Sequence, residues 1–144
     1  MKVNDTYVKV LKLVKDKSLS IRQTVIELVE IECQLIGGSK INKERYMKCY
    51  NVFNEKYGVD VYFETKEYNA EIDRWIIREK GYNKNRKESY KKCIRDYIIY
   101  KLEMGEQLLE IVCIVFEKEA LDFIDKMNNK YVSTYDETLE DEEW

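Results

Sequence analysis

The sequence predicts a mainly α-helical protein, a single compact helical domain of about five to six helices with at most one short β element near residues 59–63. Three observations predict this class. Apolar residues recur at steps of three and four, glycines follow the periodic segments, and proline is absent. The 144 residues match the length of one ordinary domain. We assign residues 1–135 to the helical domain and residues 136–144 to an acidic, flexible C-terminal tail.

The first half of the chain predicts helices joined by short connections. Residues 6–17 fit either a helix or the beginning of a strand. Ser20 is a suitable N-cap for a helix that ends at Gly37-Gly38, because Ser accepts hydrogen bonds from free helix N–H groups. Asn42 is a suitable N-cap for a second helix, which ends at Gly58.

The middle of the chain predicts the β element and two further helices. Residues 59–63 are rich in β-branched and aromatic types and alternate in polarity. This pattern predicts a short strand or an extended connector. Asn69 is a candidate N-cap for a helix that ends at Gly81. Residues 85–116 predict one long helix with a kink near Gly105, since glycine costs about 1 kcal/mol relative to alanine inside a helix.

The long helix carries mostly apolar positions spaced alternately four and three residues apart, which is a heptad pattern within residues 90–115. This seam predicts either a homodimer or a tightly packed bundle. Its C-terminal end is apolar on every side, which predicts that this end is either deeply buried or shared with a partner. A shorter helix is expected over residues 120–128. The seam positions are Tyr90, Ile94, Tyr97, Lys101, Met104, Leu108, Ile111 and Val115.

Composition excludes several classes of enzyme. The chain has no histidine, so it contains no Ser-His or Cys-His nucleophile pair and no imidazole metal ligand. It has four cysteines but no C-x-x-C pair, which favours small buried hydrophobic residues over metal ligands or nucleophiles. We therefore predict no catalytic residue, no cofactor and no metal, and a protein that is not an enzyme. The cysteines are Cys33, Cys49, Cys93 and Cys113.

Residue usage and hydropathy indicate origin and compartment. Lys outnumbers Arg 19 to 6, and Ile, Asn and Tyr are abundant while Ala is scarce, which is typical of an A/T-rich bacterial or phage genome. No signal peptide is visible at the N-terminus. The most apolar window, residues 108–116, is about half of what a membrane span needs. We expect a cytoplasmic protein with no membrane contact.

Charge is divided along the chain although the net charge is only -3. Residues 1–101 contain 22 Lys/Arg and 15 Asp/Glu, a net charge of +7, whereas residues 102–144 contain 3 and 13, a net charge of -10. The acidic part predicts a partner-binding surface of carboxylates, and the basic part predicts an alternative stripe for nucleic acid. The acidic candidates are Glu103, Glu106, Glu110, Asp136, Glu137, Glu140 and Asp141, and the basic candidates are Lys84, Lys87, Lys91 and Arg95.

These observations favour a non-enzymatic binding protein of a phage or mobile element. Its expected partner is a host nucleic-acid-handling defence protein, which it would inhibit through acidic helix faces in the manner of small anti-CRISPR proteins. This inference rests on analogy of size, composition and charge.

A helix-turn-helix-type DNA-binding regulator is the first alternative, because Lys43, Arg45 and Lys48 follow a glycine turn between two predicted helices. The stretch 38–59 is similar to C-terminal modules of phage antirepressor proteins. We interpret it as a helical hairpin, since its tyrosines are spaced like core residues.

A Mg²⁺-dependent nuclease is the second alternative, carried by Asp60, Glu64 and Lys66. The last two form an E-x-K tripeptide, in which a carboxylate holds the metal and the lysine assists at the phosphate. Such a site normally rests on a strand of a central sheet.

Overall fold

The computed structural model describes residues 4–31, 38–80 and 91–129, and the side chains of all of these except 38–39 and 78–80. The described residues are predominantly helical and contain no strand, which confirms the predicted all-α class. The described residues form seven helices, slightly more than predicted. The fifth of these continues into a π-helical turn, and the two are counted together. The helices are α1 (Asp5–Asp16), α2 (Ile21–Val29), α3 (Gly38–Tyr57), α4 (Val61–Lys80), α5 (Ile94–Asp96) with its π-helical turn (Tyr97–Lys101), α6 (Gly105–Val115) and α7 (117–129).

Helix α6 is the centre of the core and packs against α1, α2 and α3. Its seam residues Leu108 and Ile111 have no exposed surface, and they meet buried residues such as Val25 and Phe53 in one hydrophobic cluster. The predicted deep burial is confirmed for most of α6, but Ile114 near its end is 46% exposed. The seam positions Tyr97, Leu108 and Ile111 are therefore covered within the chain itself, whereas Lys101 is exposed.

Side-chain caps begin the first two helices. The Asn4 side chain accepts a hydrogen bond from the Tyr7 backbone N–H at 2.7 Å, which begins α1 and shows that residues 6–17 are helical. The Ser20 hydroxyl accepts one from the Gln23 N–H at 3.1 Å, so the predicted cap of α2 is confirmed.

The predicted end of α2 is wrong, because the helix ends at Val29 rather than at Gly37-Gly38. Two side chains of α3 take the backbone groups that a longer α2 would have used: Arg45 donates to the Val29 carbonyl, and Asn42 accepts from the Ile31 N–H at 2.8 Å. Gly37 lies outside the described residues, and Gly38 begins α3.

Helix α3 therefore begins at Gly38, and the prediction that Asn42 is its N-cap is wrong. Its other end is as predicted, since it stops at Gly58, which has a φ of 64°. The Val59 N–H returns to the Asn54 carbonyl at 3.2 Å. This is the Schellman arrangement, in which a residue with positive φ lets the chain turn back over the last helical turn.

The prediction of a short strand or extended connector over residues 59–63 is wrong from Val61 on, because α4 begins there, whereas Val59 and Asp60 form a non-helical connection. The Asp60 carboxylate accepts hydrogen bonds from the N–H groups of Tyr62 and Phe63 at 3.1 and 3.2 Å, and the Asn54 side chain accepts from Val61 at 2.9 Å. These bonds satisfy N–H groups of the first turn and stabilise a helix despite its β-rich residue types.

Asn69 is not a helix cap either, because it lies within α4. Its side-chain amide forms two hydrogen bonds, at 2.8 and 2.9 Å, with the backbone carbonyl and N–H of Lys92. Asn69 thus fixes the chain just before α5. The predicted end at Gly81 lies outside the described residues.

The predicted long helix over residues 85–116 is interrupted. Residues 85–90, including Tyr90 of the seam, lie outside the described part, residues 91–93 are not helical, and the chain leaves the helix again at Leu102. The break is close to Gly105, as predicted, but the residue with positive φ is Glu103, at 55°. The helix expected over residues 120–128 is confirmed as α7.

Candidate functional site

The predicted acidic surface is partly used inside the fold. Glu110 of α6 accepts a hydrogen bond from the Lys56 ammonium at 2.6 Å, and Glu106 lies 4.0 Å from the ammonium of Lys15. Glu103 is exposed, but it lies in the break before α6, so the three carboxylates do not share one helix face. The four tail candidates lie outside the described residues. They are Asp136, Glu137, Glu140 and Asp141.

The predicted basic stripe is not formed by the residues that the structure describes. A stripe needs one continuous helix, and Lys91 precedes α5 whereas Arg95 lies within it. The Lys91 ammonium is 3.8 Å from Asp73, and the Arg95 side chain is only 14% exposed. Lys84 and Lys87 lie outside the described residues.

Arg95 is part of a polar network with Tyr46 and Glu30. Its Nη1 donates to the Tyr46 hydroxyl at 3.1 Å and to Glu30 at 3.4 Å, and Nε donates to Asp96 at 3.1 Å. The Tyr46 hydroxyl in turn donates to Glu30 at 2.6 Å. Burial first, and then this hydrogen bond, raise the pKa of Tyr46, so the phenol stays protonated and the network stays intact at neutral pH.

Of the cations expected to contact DNA in the helix-turn-helix alternative, two are exposed and one is bonded within the fold. Lys43 and Lys48 are exposed on α3. Arg45 contacts other parts of the chain instead: it donates to the Val29 carbonyl, bonds to Glu119 at 2.7 Å, and lies 4.1 Å over the ring of Phe116. Arg45 therefore joins α3 to the end of α2 and to α7, a role that its sequence position did not indicate.

The three residues of the proposed nuclease motif lie at the beginning of a helix. Asp60 caps α4, Glu64 accepts a hydrogen bond from the Tyr97 hydroxyl at 3.2 Å, and Lys66 is exposed. Because no strand carries them, the structural setting expected for this motif is missing. Among residues 4–31, 38–80 and 91–129, no three His, Cys, Asp or Glu side chains are grouped closely enough to hold a metal ion.

Two of the four cysteines are buried as predicted. Cys49 and Cys113 lie in the core, where burial raises the pKa of each thiol to about 12 and keeps it unreactive. Cys93 is exposed, so the prediction of burial is wrong there: the chain is not helical at this residue, and no element covers it. The side chain of Cys33 lies outside the described part.

A second acidic surface, which the sequence analysis did not predict, is the outer face of α7. Its exposed residues recur at the spacing of one helix face, while Ala120 and Phe123 point into the core. Leu121 is 44% exposed at its centre. Helical periodicity applied to residues 117–129 would have found this face. We define the α7 face as Glu117, Lys118, Leu121, Asp122, Asp125 and Lys126.

Comparisons with protein-family models, with curated proteins and with solved structures found no match for this chain. In the part of the chain that the structure describes, no helix is both long enough and apolar enough to cross a membrane.

Proposed function

We propose that this chain is a non-enzymatic binding protein of phage or mobile-element type. It acts in the host cytoplasm and inhibits a nucleic-acid-handling defence protein, in the manner of anti-CRISPR proteins. The binding surface is the α7 face together with the acidic residues that follow α7 in the sequence. The observation that carries the proposal is the α7 face itself, where an exposed leucine shares one helix face with three exposed carboxylates and two lysines.

The two kinds of group on this face supply different parts of the binding free energy. Leu121 can be buried by a partner, and a fully buried leucine contributes about 1.5–3 kcal/mol relative to an exposed one. The carboxylates attract a cationic groove over a distance of roughly 10 Å, which raises the association rate and favours partners that normally hold nucleic acid. Beyond α7, residues 136–144 add six further acidic residues and no basic one.

The acidic excess on this side exceeds what the fold uses. Residues 102–129 contain seven acidic and two basic residues. Within the described part of the chain, three of those carboxylates, Glu106, Glu110 and Glu119, form ion pairs with cations of the first 101 residues. The three carboxylates of the α7 face are exposed and available to a partner, and so is the exposed Glu103 in the break before α6.

The test is a charge-reversed variant of the α7 face, Glu117→Lys/Asp122→Lys/Asp125→Lys. The matched control, Glu27→Lys/Glu55→Lys/Glu67→Lys, reverses three exposed carboxylates elsewhere. Both variants change the net charge from -3 to +3.

Immobilised wild-type protein and the control variant are expected to retain the same host protein from a lysate. A short DNA duplex should elute this protein, because both compete for one cationic groove, and the α7-face variant should not retain it. Equal retention by both variants would overturn the α7 face as the interface. Binding of the chain itself to duplex DNA, without a host protein, would overturn the inhibitor in favour of a DNA-binding regulator.

A further inference from the structure

We propose that a cleft between α3, α4 and the beginning of α5 binds a free mononucleotide-sized ligand, a planar aromatic ring that carries an anionic group. The cleft has a volume of about 350 Å³, which is within the range of small-molecule sites. It lies apart from the α7 face, so this inference goes beyond the proposed function. We call it the tyrosine cleft, after Tyr46, Tyr50 and Tyr62, which line it.

The aromatic walls favour a flat ring as the ligand. The rings of Tyr46 and Tyr50 are stacked with their centroids 5.8 Å apart and their planes 22° apart. The Tyr62 ring meets Tyr50 edge to face, at 6.1 Å and 80°. The side chains of Met47 and Ile94 complete the apolar lining. A base that stacks on such rings gains about 1–3 kcal/mol.

The charges of the lining favour an anion over a cation. The two charged residues that line the tyrosine cleft are Lys43 and Arg95, and no carboxylate is among the described residues that line it. The Arg95 guanidinium lies 5.7 Å from the centre of the Tyr46 ring, and its charge is compensated by Glu30 and Asp96. The exposed ammonium of Lys43 is therefore the charge that attracts an anion and repels a cationic ligand, the other class that aromatic walls attract.

The hydroxyl groups of two wall tyrosines are already used by the protein. Tyr46 donates to Glu30, and Tyr62 lies 2.9 Å from the Asn51 side-chain oxygen and donates to it. Both hydroxyl protons are therefore already donated within the protein and do not read the edge of a base. Stacking is tolerant of base identity, so we expect the cleft to select for ring and charge, with little discrimination among the bases.

The experiment is calorimetric titration of the full chain with adenosine monophosphate, adenosine, inorganic phosphate and a short single-stranded oligonucleotide. Adenosine monophosphate is expected to bind with a dissociation constant of roughly 10 µM to 1 mM. Adenosine should bind about tenfold more weakly and phosphate not measurably, because each lacks half of the recognised chemistry. Because stacking tolerates different bases, the dissociation constant of uridine monophosphate should lie within about threefold of that of adenosine monophosphate.

Two variants locate the binding. Met47→Trp fills the tyrosine cleft from an exposed position and should abolish binding, whereas its control Val8→Trp, at an exposed position on α1, should not. Lys43→Glu should weaken binding of the monophosphate about tenfold or more, whereas Lys12→Glu on α1 should leave it unchanged.

Three results would overturn the proposal. They are no binding of either monophosphate at millimolar concentration, binding that survives Met47→Trp, and equal binding of inorganic phosphate. If the single-stranded oligonucleotide binds far more tightly than the monophosphate, the ligand is nucleic acid. That result would also overturn the assignment to a free nucleotide. Circular dichroism of each variant distinguishes lost binding from lost folding.

Discussion

Helices α1 and α3 end in the same backbone arrangement but with different residues at the turning position, and this allows a test with opposite signs. Gly58 after α3 has a φ of 64°, and Ser18 after α1 has a φ of 54°. In both cases the next N–H returns to a carbonyl five residues earlier, Val59 to Asn54 at 3.2 Å and Leu19 to Val14 at 2.8 Å. Gly58→Ala should destabilise the protein, and Ser18→Gly should stabilise it.

The magnitude follows from backbone strain alone. A Cβ atom built on Gly58 meets nothing within 4 Å, so Gly58→Ala introduces no clash. The left-handed conformation costs an L-residue about 1–2 kcal/mol, and alanine returns about 0.4–1 kcal/mol through the smaller entropy of the unfolded chain. The net loss in the free energy of unfolding is about 1 kcal/mol. The reverse change, Ser18→Gly, removes this strain and stabilises the protein. Because glycine also loses more entropy on folding, the net gain in the free energy of unfolding should be only about 0.5 kcal/mol.

Urea unfolding followed by far-ultraviolet circular dichroism measures both effects. With an m-value of about 2 kcal/mol/M, Gly58→Ala should lower the midpoint by about 0.5 M. Gly105→Ala is the control, since Gly105 does not have a positive φ and its Cβ would lie 3.4 Å from a methyl group of Ile21 and 3.5 Å from one of Ile99. That variant should be stabilised by about 0.5 kcal/mol. An unchanged midpoint for Gly58→Ala, or a lower one for Ser18→Gly, would refute the reasoning.

Two further predictions follow from the pKa shifts. The hydrogen bond to its arginine partner lowers the pKa of Glu119 below the ordinary 4.5. The resulting stabilisation is present above that value and is lost as the pH falls through the lower folded value. Glu119→Gln should therefore flatten the loss of stability in acid, and a pH profile identical to that of the wild type would contradict this. In a Cys33→Ser background, a thiol reagent at mildly alkaline pH should modify Cys93 rapidly, and Cys49 and Cys113 only on unfolding; equal rates for all three would contradict the burial.

Local signals in the sequence predicted the fold class and several helix ends correctly. The Ser20 cap, the stop at Gly58 and the break near Gly105 each depend on residues that are neighbours in the chain. The end of α2 depends on Arg45 and Asn42, which reach its backbone from α3. No pattern within residues 20–37 contains that information, so the helix was predicted to be too long.

The error at residues 59–63 has a different cause. Residue types there favour a strand, but Asp60 and Asn54 satisfy N–H groups of the first helical turn, and two capping side chains outweigh a weak propensity. The candidate site was harder to predict than the fold. Arg95 is a charged residue in the sequence, and only its contacts with Glu30 and Tyr46 show that it is part of the wall of a cleft.

The division of charge along the sequence has two separate uses in the folded protein. Among the residues that the structure describes, three ion pairs connect the basic first 101 residues to the acidic remainder: Lys15 with Glu106, Arg45 with Glu119, and Lys56 with Glu110. Pairs of this partly exposed kind contribute about 0–1 kcal/mol each and weaken as salt is added, so salt alone should leave the fold intact. The same salt also screens the attraction between the α7 face and a cationic partner. The hydrophobic core stabilises the fold against this loss, but it does not stabilise the complex with the partner. Loss of partner binding at an ionic strength where the circular dichroism is unchanged therefore measures the acidic surface itself. If binding and folding were lost together, the carboxylates would serve the fold alone.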